Sequence, residues 1–227
     1  MRMAICVKAV PDLGTAYVSK SRAELVEQGK RVPSPADENA MELALSLRGE
    51  GDEIVAFGVG GEGTQDALRP ILAMGADRGV LVVDPQAQEG DALADARVLA
   101  AALRAEGSFD LVLCGDRSPV HEGGQVGPRL AEALGLAQAT RVTEAKVAGG
   151  QVQVMRAGEL GAAELPLPAL LAVEPGCNSP RLPNAMAVMK AARKPVTNPS
   201  LSELGLDPEQ AGGAGAAVKL RLTQLPE

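Results

Sequence analysis

Leu111-Val112-Leu113-Cys114-Gly115-Asp116, followed after a short gap by Gly123-Gly124-Gln125-Val126-Gly127-Pro128-Arg129-Leu130, is the stretch that decides the fold. The aliphatic run predicts a buried strand, the small residues predict a loop, and Leu130, Ala131 and Leu134 predict a helix with one apolar face. Glycines let the backbone approach a ligand closely, and the free N–H groups at a helix start favour a phosphate. The stretch therefore predicts a strand–loop–helix site for a mononucleotide. No Gly-Lys-Ser/Thr follows, so it is not a Walker A loop.

Strands and helices alternate before this stretch. The residues predict strands at 3–9, 53–57, 79–83 and 110–114, and helices at 37–47, 64–74 and 91–105. This alternation of strands and helices is typical of an α/β fold with a doubly wound, mostly parallel sheet and helices on both faces. A hairpin is expected around 28–30, another across Gly149-Gly150, and a further strand at 170–173.

The predicted organisation is an α/β nucleotide-binding domain at 1–175, a partner-recognition loop with a short helix at 176–195, and a C-terminal arm at 196–227. The arm carries little that could join a core, so we expect it to lie on a partner subunit.

Composition excludes several classes of protein. The formal net charge is −7, which argues against nucleic acid as a partner, because phosphate binding needs a basic face. No apolar run is long enough to cross a bilayer, so membrane insertion is not expected. The first residues do not resemble a signal peptide, which makes a cytoplasmic location the expectation. Three scattered cysteines and a single histidine, His121, disfavour a structural metal site.

Two motifs allow more than one interpretation. Gly58-Val59-Gly60-Gly61-Glu62-Gly63 matches the dinucleotide-binding pattern G-x-G-x-x-G, with Asp84 placed to bind a ribose; the alternative is a glycine-rich turn near a ligand held elsewhere. His121 could contact a phosphate or act as an acid–base group, or it could be a solvated loop residue. Asp37 is expected to cap a helix.

The segment after residue 177 is stiff and carries apolar tips. A rigid loop loses little entropy on binding, so it could dock a partner. We call residues 180–186 the docking segment; its members are Pro180, Arg181, Leu182, Pro183, Asn184, Ala185 and Met186. The basic residues that follow it, Lys190, Arg193 and Lys194, are expected to be solvated.

Several motifs in order along the chain resemble the β-subunit of electron transfer flavoprotein. They are Ile5-Cys6-Val7-Lys8 with Val10-Pro11-Asp12, Ser34-Pro35-Ala36-Asp37-Glu38, Leu68 to Arg78 with Ala73-Met74-Gly75-Ala76-Asp77-Arg78, the helix start within Gly123 to Ala139, a partial match over Val154 to Ala172, and Asn178 to Ala191. The resemblance covers nearly the whole chain. The chain departs from the family pattern at Ser34, which replaces an asparagine, at Val120-His121-Glu122, and at Ala185, which aligns with a docking leucine.

The resemblance implies a heterodimeric electron carrier with an adenine-nucleotide-hydrolase-like (Rossmann-like) fold. FAD would be held mostly by the α-subunit, and this chain would bury one side of it and bind a structural AMP. Electrons would pass from acyl-CoA or related dehydrogenases to a quinone oxidoreductase, with no catalytic residue and no metal. The implied nucleotide contacts are Cys6, Ser34, Pro35, Ala36, Asp37, Val59, Val120, Gly123, Gly124, Gln125, Val126, Gly127 and Leu130.

Three alternatives remain open from the residues. The first is an electron-bifurcating relative in which a second FAD replaces AMP. The second is a stand-alone regulatory module that binds an adenine nucleotide. The third is an NAD-dependent oxidoreductase that uses the glycines at 58–63.

Overall fold

A computed structural model describes residues 1–12, 14–15, 17–19, 24–26, 31–61 and 63–218. Its strands, in chain order, are β1 (Arg2–Val7), β2 (Ala9–Pro11), β3 (Tyr17–Ser19), β4 (Glu24–Val26), β5 (Arg31–Pro33), β6 (Glu53–Gly60), β7 (Arg78–Val83), β8 (Leu111–Gly115), β9 (Ala137–Ala148), β10 (Gln151–Arg156), β11 (Gly161–Pro166), β12 (Ala169–Val173) and β13 (Val196–Thr197). Its α-helices are α1 (Pro35–Leu47), α2 (Thr64–Met74), α3 (Ala92–Glu106), α4 (Val126–Leu134), α5 (Ala185–Ala191) and α6 (Gly212–Gly215).

One large sheet has the order β11-β10-β9-β12-β8-β1-β6-β7-β13. Its strands run parallel from β9 to β13, and β10 and β11 add an antiparallel extension at one edge. Helices α1 and α2 pack on one face, and α3 and α4 on the other. The predicted doubly wound, mostly parallel sheet is confirmed.

Two apolar layers hold this arrangement together. The central strands β1 and β8 place Met3, Ile5, Leu111 and Leu113 in the layer under α1 and α2, and the alternate residues, such as Ala4, face α3 and α4. Successive side chains of a strand point to opposite faces, so strands buried on both faces read as continuous aliphatic runs. Aromatic residues add little to the core, where Phe57 and Phe109 meet edge to face.

Local signals fix several element boundaries. Helix α3 begins after Asp91, whose Oδ1 accepts the backbone N–H groups of Leu93 and Ala94 at 2.9 and 3.0 Å. It ends at Gly107, which has a φ of 99°. The hairpin between β9 and β10 turns through Gly149 and Gly150, whose φ values of 59° and 78° require a residue tolerant of positive φ. That predicted hairpin is confirmed.

Other expectations differ from the structure. Strand β11 was not predicted, and it pairs antiparallel with β10. Strand β1 ends at Val7, and the next residues form a separate two-stranded ribbon, β2 with β5. Strands β3 and β4 also pair with each other, but the turn predicted at 28–30 lies outside the described residues.

The segment after residue 195 packs against its own domain. Strand β13 pairs with β7 at the sheet edge, and Leu201 and Ala211 are buried in the layer that holds α3 and α4. The expectation that this segment has little that could join a core is therefore wrong for these two residues. Its contact with a partner subunit stays a prediction. No helix in the described part of the chain is long and apolar enough to cross a bilayer.

Candidate nucleotide site

The sheet has a topological switch point between β1 and β8. The chain leaves β1 toward β6 on one side and, after β7 and α3, crosses back to form β8 on the other side. Ligands of doubly wound sheets bind outside the carboxyl ends of the strands at such a point. We call this place the crevice: the carboxyl ends of β1 and β8, the first turn of α1 with Ser34, and the loop 116–125.

Asp37 joins the two strands that flank the crevice. Its Oδ2 accepts the backbone N–H of Lys8, just after β1, at 2.7 Å, and its Oδ1 accepts the N–H of Gly115, the last residue of β8, at 2.8 Å. The helix start at Ser34 leaves Asp37 in the first turn of α1, so the expectation that Asp37 caps a helix is wrong. Both carboxylate oxygens are instead used to hold the strand ends.

Burial shapes the ionisation of Asp37. Its carboxyl is almost fully buried, and this raises its pKa to about 7, although the bonds from Lys8 and Gly115 and the charge of Lys8 act in the opposite direction. A small change of pH near neutrality therefore alters the charge of the Asp37 carboxyl.

Gly115 allows α1 to approach the end of β8. A Cβ at this position would lie 2.5 Å from Cβ of Ala36 and 2.7 Å from Oδ1 of Asp37. No other residue fits without moving the helix. Gly127 has a similar role under the loop, where a Cβ would meet Sγ of Cys114 at 3.1 Å and Cβ of Ala172 at 3.3 Å. Gly115 and Gly127 therefore permit close packing, and the ligand access predicted for the glycines of this stretch stays a prediction.

Helix α4 begins at the rim of the crevice. Gln125 precedes the helix, is exposed, and its carbonyl oxygen accepts the N–H of Arg129 at 3.2 Å. The earlier N–H groups of the turn, at Val126 and Gly127, precede the first intrahelical bond and are the usual donors to an anion at a helix start. The side-chain Oε1 of Gln125 accepts from Nη2 of Arg129 at 2.9 Å, which leaves its amide NH₂ for another acceptor.

Lys8 lies in the crevice but was not among the predicted site residues. Its Nζ lies 3.5 Å from Nδ1 of His121. Burial and this neighbouring ammonium lower the pKa of His121, which favours the neutral ring. Lys8 also acts on Asp95, in the first turn of α3. Burial raises the pKa of that carboxyl to about 6, and the charge of Lys8 opposes this shift. The position of Lys8, one residue after a central parallel strand, was the available signal.

Ser34 holds an unpaired buried hydroxyl. The residue is 1 % exposed, and its N–H donates to the carbonyl of Lys8 at 3.0 Å, which places it beside the end of β1. Among the described residues its Oγ has no hydrogen-bond partner. A buried hydroxyl without a partner costs free energy, and a ligand is one way to satisfy it.

The remaining predicted contacts fall in two groups. Pro35, Val120, Gly123 and Gln125 are exposed, and Val59, Gly124 and Val126 are half-buried. In contrast, Cys6, Ala36, Gly127 and Leu130 are buried beneath the crevice. Burial raises the pKa of both Cys6 and Cys114, so these thiols stay protonated at neutral pH. Most of the predicted residues therefore lie in or next to the crevice, Val59 lies on the neighbouring strand β6, and the contact of any of them with a ligand stays a prediction.

An ion-pair cluster flanks the loop. Glu174 accepts from Nη2 of Arg117 at 2.8 Å and from Nε of Arg141 at 3.3 Å, and the first of these bonds does most to lower its pKa. Oδ1 of Asp116 accepts the backbone N–H of Arg141 at 2.9 Å. These contacts tie the start of the loop to β9 through Arg141 and to the end of β12 through Glu174.

The first residues of the dinucleotide motif, Gly58 to Gly60, lie at the end of β6. Asp84, its expected ribose ligand, accepts the N–H of Gln86 at 2.9 Å and that of Leu201 at 3.5 Å. A Cβ at Gly58 would meet Leu81 and Thr64 at 3.0 Å. Gly58 thus contributes to close packing and Asp84 to a turn, and dinucleotide binding at this motif stays a prediction.

The docking segment leaves the end of the sheet with its apolar side chains in solvent. Leu182 is 93 % exposed and Met186 is 66 % exposed. Helix α5 begins after Asn184, whose Oδ1 accepts the N–H of Ala187 at 2.9 Å. Lys190 and Arg193 are exposed, whereas Nζ of Lys194 donates to the carbonyl of Leu72 at 2.9 Å.

The fold and the crevice define a class: a doubly wound α/β domain that presents helix-start N–H groups, small residues and a lysine at its switch point. Comparison with known proteins narrows this class. Residues 23–204 match the model of the electron transfer flavoprotein domain. The chain belongs to the electron transfer flavoprotein family, as its motifs predicted.

The similar proteins are mostly β-subunits. The chain is 32% identical to the electron transfer flavoprotein subunit beta of Megasphaera elsdenii, over 97% of this chain and 86% of that protein. It is 36% identical to the subunit of the same name from Bacillus subtilis, over 78% and 70%. It is also 32% identical to the caffeyl-CoA reductase-Etf complex subunit CarD of Acetobacterium woodii, over 93% and 83%. These relatives identify the chain with the β-subunits of a family of electron carriers.

Proposed function

We propose that this chain is the β-subunit of a heterodimeric electron transfer flavoprotein, that it holds AMP in the crevice, and that it buries one side of an FAD held mostly by the α-subunit. The heterodimer passes electrons from acyl-CoA or related dehydrogenases to a quinone oxidoreductase. FAD supplies the redox chemistry when bound. The residues of this chain bind, orient and exclude water, and none acts as an acid or base.

The unpaired hydroxyl of Ser34 is the observation that carries the nucleotide proposal. It lies beside the end of β1, at the place where nucleotides bind in doubly wound sheets. The first-turn N–H groups of α4 and the ammonium of Lys8 suit a phosphate, and an uncharged hydroxyl suits a base or ribose. The crevice thus offers donors of both kinds that a mononucleotide needs.

The docking segment supports the proposed dehydrogenase contact. Leu182, Met186 and Met189 are largely exposed, and the exposed cations Lys190 and Arg193 stand next to them. An apolar tip with a basic border fits a partner that offers an apolar pocket with acidic residues at its rim. We assign this partner as the electron-donating dehydrogenase.

A second FAD in place of AMP is the second candidate. It is supported by the similarity to CarD, a subunit of a caffeyl-CoA reductase-Etf complex. AMP and FAD share the adenosine phosphate portion, so the same donors would serve both. The bound nucleotide, not the arrangement of the crevice, therefore distinguishes the two candidates.

The proposal is tested by titrating the purified chain with AMP in a calorimeter. Ser34→Ala should weaken AMP binding about 3- to 10-fold, the loss of one hydrogen bond, without lowering the free energy of unfolding. Gln125→Ala should also weaken binding, and Gln151→Ala, at an exposed position on β10, is the matched control. Unchanged AMP affinity in both Ser34→Ala and Gln125→Ala would refute the AMP site.

Purification distinguishes the remaining possibilities. Expressed with an α-subunit, the chain should copurify with it and with one FAD; expressed alone, it should lack tightly bound flavin. Stoichiometric FAD on the isolated chain would favour the second candidate. Binding of NADH by the isolated chain would favour the oxidoreductase alternative instead.

A further inference from the structure

The start of the docking segment is fastened to helix α1 by two side chains, Asn39 and Glu42. We infer that Asn39 and Glu42 are positioning residues that set the orientation of the docking segment for electron transfer. The inference rests on the proposed function, because it presumes that this segment contacts the dehydrogenase. Neither residue was assigned to any site from the sequence.

Asn39 ties α1 to the residues just before the docking segment. Its side-chain Oδ1 accepts the N–H of Gly176 at 2.9 Å, and its Nδ2 donates to the carbonyl and to Oδ1 of Asn178 at 2.9 and 2.7 Å. Nδ2 of Asn178 donates back to the carbonyl of Asn39 at 3.0 Å. Asn39 is 3 % exposed. Fully paired buried amides favour one arrangement, because any shift leaves a polar group without a partner.

Glu42 holds the first part of the segment itself. Its Oε2 accepts both the backbone N–H of Arg181 at 3.0 Å and Nε of the same residue at 2.9 Å, and its Oε1 accepts Nη2 at 2.8 Å. These hydrogen bonds lower the pKa of Glu42. A two-pronged guanidinium–carboxylate pair fixes geometry as well as distance. The additional backbone bond fixes the main chain immediately before Leu182.

This clamp explains why Leu182 projects into solvent. Arg181 is turned toward α1, and Pro183 restricts the chain on the other side. Leu182 is left 93 % exposed. The charge of Arg181 is paired within the chain, so the segment offers an apolar tip to its partner rather than a cation. A contact held in place beforehand costs less entropy on binding.

The far end of this region is fastened as well. Ala191 is buried, and Nζ of Lys194 donates to the carbonyls of Leu72 and Ala76 at the end of α2. The stretch from the docking segment through α5 to Lys194 is thus held by α1 at its start and by the end of α2 at its close. The same helix α1 carries Asp37 at the crevice, so one element positions both the nucleotide site and the docking segment.

The test measures electron transfer between the purified α/β heterodimer and an acyl-CoA dehydrogenase, with the heterodimer as the varied electron acceptor and a dye as the terminal acceptor. Glu42→Ala should raise the KM for the heterodimer about tenfold and leave kcat unchanged, because the tip remains present but is no longer held. Arg181→Ala should have the same effect, and the double variant should have a KM no higher than either single variant, since the two residues act as one unit.

The FAD and AMP content of the variants should not change. Glu50→Ala, in the exposed turn after α1, is the matched control.

Two results would overturn the inference. One is a KM that rises in Arg181→Ala but not in Glu42→Ala, which would make Arg181 a direct partner contact. The other is an unchanged KM in both variants while Leu182→Ala raises it. If Leu182→Ala and Met186→Ala have no effect, or if no acyl-CoA dehydrogenase reduces the wild-type heterodimer, the proposed docking fails instead. Amide exchange then decides the positioning role: faster exchange at residues 181–183 in Glu42→Ala supports it, and unchanged exchange refutes it.

Discussion

Oδ1 of Asp37 accepts the backbone N–H of Gly115 at 2.8 Å across 78 positions of sequence. This bond joins the first turn of α1 to the end of β8, and the second carboxylate oxygen joins the same turn to the residue after β1. The two central strands at the switch point are therefore held by one buried side chain. The crevice keeps its shape as long as this carboxyl accepts both bonds.

Asp37→Asn should destabilise the protein by about 1–3 kcal/mol, because the amide NH₂ replaces one acceptor and faces an N–H donor. AMP binding should weaken in parallel, since the strand ends are released. Urea unfolding and AMP titration measure the two effects. Asp66→Asn, in the first turn of α2, is the control and should change neither.

The same variant should change the pH dependence of stability. Burial raises the folded-state pKa of Asp37 to about 7, above the value near 3.8 for the unfolded chain. The folded state therefore binds the proton more tightly, and the contribution of Asp37 is greatest below about pH 4 and declines as pH rises to about 7. The amide introduced by Asp37→Asn does not titrate, so the stability difference between wild type and variant should shrink from about pH 4 to about pH 7. A pH-independent difference would contradict this assignment.

Gly115→Ala should lower stability by about 1–3 kcal/mol or more, because the new Cβ would lie 2.5 Å from Cβ of Ala36. Gly123→Ala is the matched control in the same loop region. Its Cβ would meet nothing closer than 4.0 Å, so its unfolding free energy should stay within about 0.5 kcal/mol of wild type. Equal loss in both variants would mean that glycine flexibility, not close packing, matters here.

Glu53→Gln should weaken the end of the sheet opposite the crevice. Glu53 pairs with Nε of Arg2 at 2.9 Å and with Nε of Arg78 at 2.8 Å, and Arg78 also pairs with Glu106 at 2.7 Å. These partners lower the pKa of Glu53, so its contribution is present above the unfolded pKa and is lost as pH falls through the folded one. We expect a loss of about 1 kcal/mol at pH 7 that diminishes in high salt. Insensitivity to salt would argue against the ion-pair network.

Leu201→Ala should cost about 2–4 kcal/mol, because Leu201 is 1 % exposed in the layer under α3. Leu182→Ala deletes the same atoms at a position that is 93 % exposed and should leave stability unchanged. Thermal unfolding of the two variants distinguishes a core leucine from an exposed one. An unchanged melting temperature in Leu201→Ala would restore the expectation that the C-terminal segment lies outside the core.

The sequence alone determined the features that depend on neighbours in the chain. Continuous aliphatic runs such as 111–114 predicted the central strands, Gly149-Gly150 predicted its hairpin, and the ordered motifs predicted the family, all correctly. These signals are local because strand and turn formation depend on side-chain period and backbone freedom within a few residues.

Only the tertiary structure decided which distant groups meet. The bonds of Asp37 to two strands, of Asn39 to Asn178 across 139 positions, and the burial of Leu201 have no local signal. Strand β11 was missed because small alanines, rather than large apolar residues, occupy part of its alternating pattern. The strand is stabilised by its pairing with β10. Such contacts depend on how helices and strands pack against each other, and a side chain whose partner lies far away along the chain looks, in sequence, like any other polar residue.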